Sequence, residues 1–146
     1  MQTEKFYGFS IQYPDDWEIV KQEEATDDTE LTLMIQSPET SFWMLKLFND
    51  SPSPEEVLTT AADAICEEYD NVDVYSVDVE INGEEQPGMD LEFVCFDLLC
   101  AASLRAFPVE TMTVLVYSQW ADQEKEFVQE PLDAITGSLE YHNESS

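Results

Sequence analysis

Histidine is all but missing from this chain: there is one, His142, in 146 residues. A histidine general base, a Cys–His pair or a Ser-His-Asp triad would have to use that residue, and its place in the closing YHNESS segment suits none of them. The same shortage removes the usual zinc constellations. Cys66, Cys95 and Cys100 are scattered, form no CxxC pair and cannot close a tetrahedral site alone. Four glycines leave no phosphate-cradling loop. No apolar run approaches the ~18 residues of a membrane span, and the opening MQTEKFYGFSIQYP lacks the basic-then-apolar order of a secretory signal. No catalytic residue, metal site or cofactor is expected.

Positive charge is the next scarcity. Lys5, Lys21, Lys46, Arg105 and Lys125 face 33 acidic residues, a formal net charge of -28. Most carboxylates therefore lack an ion-pair partner, and the folded chain repels itself. At physiological salt the screening length is about 8 Å, so neighbouring surface carboxylates still feel one another. Nucleic acid and anionic membranes are disfavoured by sign. A basic protein partner, a weak cation atmosphere or a saline cytoplasm all fit. The chain is not a disordered acidic tail, because 43% of it is hydrophobic and 12% aromatic. Its length suits a single domain over 1–146. An odd cysteine count in apolar patterns predicts buried free thiols, hence a reducing, cytoplasmic setting.

What is present reads as short strands and two helices. Phe9, Ile11 and Tyr13 alternate on one face before Pro14 ends the run, and PDD turns the chain toward Trp17 and Ile19. Glu23 to Glu30 reads as an exposed acidic loop. Leu31, Leu33 and Ile35, then Phe42 to Phe48, complete an expected four-strand antiparallel meander. Ser53, Pro54 and Glu56 form a helix start with a capping box, followed by a stripe of Leu58, Ala61, Ala62, Ile65 and Tyr69. Tyr75, Val77, Val79 and Ile81 alternate up to Asn82-Gly83, a hairpin dipeptide. Pro87-Gly88 is expected to bulge the return strand. Leu91 to Phe107 and Met112 to Trp120 are apolar on both faces, as central covered strands are. A second helix is expected from about Asp122, its cap, to Leu139, with Phe127, Leu132, Ile135 and Leu139 inward and Pro131 kinking it or starting a fresh turn. The fold class is therefore α+β: an antiparallel sheet with helices packed on both faces.

This order of elements, with FSIQYPDDW from Phe9 to Trp17 and AITGSLE from Ala134 to Glu140, resembles the PsbP-like family. The family includes the extrinsic PsbP subunit of photosystem II, a yeast Ran-binding nuclear-import factor and bacterial proteins of the DcrB type. The resemblance implies an α/β/α sandwich and a binding or assembly role without catalysis. Neither the photosynthetic nor the Ran-binding role carries over, since the chain shows no lumenal targeting segment and no partner-specific motif. It looks most like the uncharacterised bacterial members.

Three residues stand out as binding candidates. Asp97 sits between Phe96 and Leu98, where a buried carboxylate needs a partner. Arg105, the sole arginine, shares strand parity with Asp97; the two meet if the chain folds back between them and lie about 26 Å apart if it runs straight. Trp120, at a strand end, is a candidate interface anchor. Glu92 is the other acid on an apolar strand. Weak cation association is open to Asp27, Asp28 and Glu30, or to Glu67, Glu68, Asp70 and Asp73, although neither cluster matches the twelve-residue calcium loop. The leading expectation is a non-catalytic acidic domain that binds another protein as an assembly factor or adaptor. The alternatives are a carboxylate-based hydrolase and a salt-adapted structural protein without a specific partner.

Overall fold

The computed structural model describes residues 1–24, 30–49, 52–81, 83–95, 97–109 and 112–141, with only the backbone at 21–24, 30, 31 and 81. Strands β1 (Gln2–Phe6) and β2 (Phe9–Tyr13) form a hairpin through Tyr7 and Gly8, both at positive φ. The chain turns after Pro14, whose carbonyl accepts the Trp17 N–H at 3.1 Å. It continues as β3 (Glu18–Glu24), β4 (Glu30–Gln36) and β5 (Phe42–Phe48). Helix α1 (Pro54–Glu68) follows, then β6 (Asp73–Ile81), β7 (Glu84–Cys95), β8 (Leu98–Val109) and β9 (Met112–Ala121). A 3₁₀ turn (Asp122–Glu124) leads into α2 (Lys125–Ser138), and β10 (Glu140–Tyr141) closes the described chain.

All pairings are antiparallel. Seven strands form one sheet in the order β3-β4-β5-β9-β8-β7-β6, while β2 pairs with β1 and β10 in a separate small sheet. The expected meander therefore holds only for β3, β4 and β5: β2 leaves it because its partner lies at the far end of the sequence. Pro87 and Gly88 pair with Asp78 and Val77 with no register shift, so the expected bulge is absent. Pro87 is tolerated because the β8 ladder begins only at Gly88.

The segment read as one two-sided strand from Leu91 to Phe107 is a tight hairpin. Asp97 adopts φ +63 between β7 and β8, a left-handed geometry that aspartate accepts more readily than most residues. The turn reverses the parity, so Phe93 and Cys95 share a face with Cys100, whereas Val94 shares one with Leu99. Val94 and Leu99 are about half exposed.

Each helix covers one side of the large sheet. Ser53 Oγ accepts the Glu56 N–H at 3.1 Å and Pro54 takes the first turn of α1, as its cap sequence requires. Val57, Leu58, Ala62 and Ile65 of α1 pack on Leu91, Phe93, Ala102, Leu104 and Leu115. On the opposite side, Val128, Leu132 and Ile135 of α2 join Phe9, Ile11 and Trp17 over Leu33, Ile35, Trp43, Leu45 and Val116. Phe127 does not belong to that inward stripe; it is 76% exposed. Nor does Asp122 cap α2, whose N-cap residue is Glu124 without a capping side-chain bond. The helix continues through Pro131. Cys100 is buried and Cys95 half-buried, but Cys66 lies exposed on α1; all three thiols are free.

The small sheet and α2 are tied by Ser138, whose Oγ accepts the Gln12 N–H at 2.9 Å. Trp43 Nε1 donates to Thr136 Oγ1 at 2.9 Å, pinning α2 to β5. The two helices share only β9. α1 sits on β7, β8 and β9, whereas α2 sits on β2, β5 and β9. The α2 side of β6, β7 and β8 is therefore left without a helix.

Candidate functional site

That uncovered part of the sheet is the floor of a cleft of about 560 Å³, walled on one side by α2. Such a volume lies within the roughly 300–1,000 Å³ typical of ligand sites. Strand register sets the floor in rows. One row runs Trp120, Ala101, Glu92, Asp73; the next Ser118, Ser103, Asp90, Tyr75; a third Val116, Arg105, Gly88, Val77. The hollow exists because the middle positions are small: Ala101 carries only a methyl, Ser103 a hydroxymethyl and Gly88 no side chain. Trp120 stands at one side, and Lys125, Gln129 and Asp133 of α2 form the wall.

Gly88 is required by its neighbour. A Cβ there would stand 2.8 Å from Arg105 Cδ, from Arg105 Nη1 and from the Leu104 carbonyl oxygen. The arginine side chain thus lies across β7 and reaches Asp90, with Nη1 2.9 Å from Oδ1. The same nitrogen donates to the Leu104 carbonyl at 2.9 Å.

Five carboxylates line the cleft, on Glu80, Asp90, Glu92, Asp122 and Asp133, against two cations, Arg105 and Lys125. The negative field acts on the ionisable groups around it. Glu92 first, then Asp73, pushes the Tyr75 phenol up. Burial pushes the Asp133 carboxyl up, with Arg105 pulling it partly back.

Of the three candidates from the sequence, the structure brings Arg105 and Trp120 into this cleft and leaves Asp97 out. Asp97 is exposed at the hairpin tip, not on a strand, and pays no burial penalty. The chain runs straight from it along β8, so Arg105 pairs with Asp90 instead. Glu92 is likewise exposed, facing the open floor. Trp17 and Trp43 are core residues, 4% and 0% exposed. Asp90, Ser103, Ser118 and Asp133 were missed, because only the register across the β7–β8 hairpin, and the seating of α2, places them together.

A different acid is the buried one. Glu124 accepts from the Thr40 N–H at 3.3 Å, from the Thr40 hydroxyl and from Ser41 Oγ at 2.9 Å, fastening the β4–β5 turn to the start of α2. Asp27, Asp28 and His142 lie outside the described residues. Among the described residues, no three His, Cys, Asp or Glu side chains converge as metal ligands. No described helix is long and apolar enough to cross a membrane.

No family model matches the sequence, and no match is found among curated proteins. Solved structures do match in shape. A Bacteroides thetaiotaomicron protein superposes with a TM-score of 0.67 at 15% identity over 100% of this chain. This chain spans only about half of that protein, 51%. Cyanobacterial PsbP (CyanoP) from Synechocystis sp. PCC 6803 matches at TM-score 0.61 and 14% identity, covering 97% of this chain and 92% of its own. LpqN of Mycobacterium tuberculosis, described as involved in cell envelope biogenesis, matches at TM-score 0.53 and 10% identity, covering 92% and 83%. Identities this low speak to architecture alone. The chain has the PsbP-like fold.

Proposed function

We propose that this chain is a non-catalytic, acidic protein-binding domain of the cytoplasm, an assembly factor or adaptor whose α2-side cleft receives a basic segment of its partner. The cleft carries this reading: its floor offers Trp120 and half-exposed Leu99, while its carboxylates outnumber its cations. Interface anchors of this kind combine a large aromatic with surrounding polar groups that exclude water. The surplus of negative charge speeds the approach of a basic chain and repels nucleic acid and anionic lipid. A hydrolytic role draws less support, since Asp90 is held by Arg105 and Glu92 stands on open floor. Free cysteines suit a reducing compartment.

Affinity capture from native lysate at physiological salt tests the reading, with wild type and a Trp120→Ala variant run in parallel. A basic protein retained by wild type and lost by the variant is expected. Binders held equally by both, and erased by modest salt, would count against the proposal.

A further inference from the structure

We infer that the floor of this cleft is a slot for an arginine side chain of the partner, an inference that rests on the binding reading above. Trp120 and Glu92 stand two strands apart in one row, on the order of 10 Å between backbones, with only the methyl of Ala101 between them. A planar group entering over Ala101 has an indole on one side and a carboxylate on the other.

The neighbouring row adds hydrogen-bonding groups to the floor. Ser118 is 7% exposed and lines the cleft, yet its hydroxyl bonds to no described residue and remains open to the hollow. Ser103, its cross-strand partner, is half-buried and lines the same hollow. Both hydroxyls are open to the cleft and can accept hydrogen bonds from a donor that enters it.

A guanidinium meets these demands together. It carries five N–H donors and no acceptor, so it donates to the Glu92 carboxylate and to both hydroxyl oxygens. It is flat and stacks on an indole, and it sheds water more readily than an ammonium does. The resident Arg105 does not block it, because Asp90 holds that side chain down over Gly88. Lys125 at the rim subtracts one charge from a lining that remains acidic.

The test titrates tri-arginine amide, tri-lysine amide and tri-citrulline amide into the full chain at about 0.15 M salt, read by tryptophan fluorescence and by calorimetry. Trp17 and Trp43 are sealed in the core, so the optical signal reports Trp120. Tri-arginine is expected to bind saturably and more tightly than tri-lysine, and tri-citrulline not at all. Glu92→Gln is expected to weaken tri-arginine about tenfold or more, while Glu55→Gln on α1, the same charge change on the opposite side, leaves it within about twofold. Equal weakening by the two variants, or tri-lysine or tri-citrulline binding as tightly as tri-arginine, overturns the slot but leaves an acidic binding domain standing. Failure of both cationic peptides to bind at this salt overturns the slot and the basic-partner reading together.

Discussion

Adding one methyl group at Gly88 should unseat the arginine on which the cleft floor depends. In Gly88→Ala the new Cβ meets Arg105 Cδ, Arg105 Nη1 and the Leu104 carbonyl oxygen, each at 2.8 Å. The arginine can swing away, but the carbonyl belongs to the central strand β8 and is fixed by its ladder. Side-chain movement therefore relieves only part of the overlap, and the backbone must absorb the rest. Overpacking of this kind costs about 1–3 kcal/mol. The Arg105–Asp90 bond adds little to that, since Asp90 is 45% exposed and solvent screens the pair. With a urea slope of about 2 kcal/mol per molar, the unfolding midpoint should fall by about 1 M. Gly137→Ala serves as the contrast: it lies in α2 with nothing within 4 Å of the added Cβ, so the same methyl should stabilise by up to about 1 kcal/mol. Urea unfolding of both variants, followed by circular dichroism, gives the answer. A Gly88→Ala midpoint equal to or above wild type would refute the packing argument.

Glu124→Ala should destabilise by about 2 kcal/mol, because Ser41, fully buried, and Thr40 lose their common acceptor; Glu124→Gln should lose less, and chemical denaturation separates the two. Tyr69 is pushed up to about 12, chiefly by burial and then by its hydrogen bond to Cys95. The neutral phenol is the form the fold favours, so stability from this group is complete below pH 10 and drains away toward pH 12; a Tyr69→Phe variant should flatten that alkaline loss, as tyrosinate absorbance and melting curves will show. Asp133 is raised by burial, so its charged form opposes folding at neutral pH. Asp133→Asn should therefore gain stability at pH 7, and the gain should vanish as pH falls through the carboxylate range. At -28 net charge, melting temperature should climb between low and molar salt without any ligand; an unchanged value would remove self-repulsion from the account.

Local chemistry explains what could be read from the sequence. The α1 start was legible because Ser53, Pro54 and Glu56 act within one turn of each other, and the return from β6 to β7 because Gly83 takes φ +85. The helix on each face followed from reading strands as apolar on both sides, which holds for β9, where Val114 and Val116 face α2 and Leu115 faces α1, but not for β7 and β8, whose α2 side is the open cleft. Long-range pairing was not legible: nothing within Phe9–Tyr13 says that its neighbours are β1 and β10 rather than β3. Asp97 hid a hairpin because an acidic residue between apolar ones looks like a strand, not a left-handed turn. That one misreading reversed the parity of everything after it, which is why Arg105 was matched to Asp97 and the row of Ser118, Ser103 and Asp90 went unseen. Phe127 was placed inward by hydrophobicity alone, whereas Val128, one position on, carries the contact.

The claim that matters most is that a basic chain lands on the α2 side of β7, β8 and β9. Amide-resolved NMR of the labelled chain, titrated with tri-arginine amide at physiological salt, addresses it directly. The account predicts that the largest shifts cluster at Asp90, Glu92, Ala101, Ser103, Ser118 and Trp120 and along α2. Shifts spread evenly over the acidic surface, or centred on α1, would contradict it.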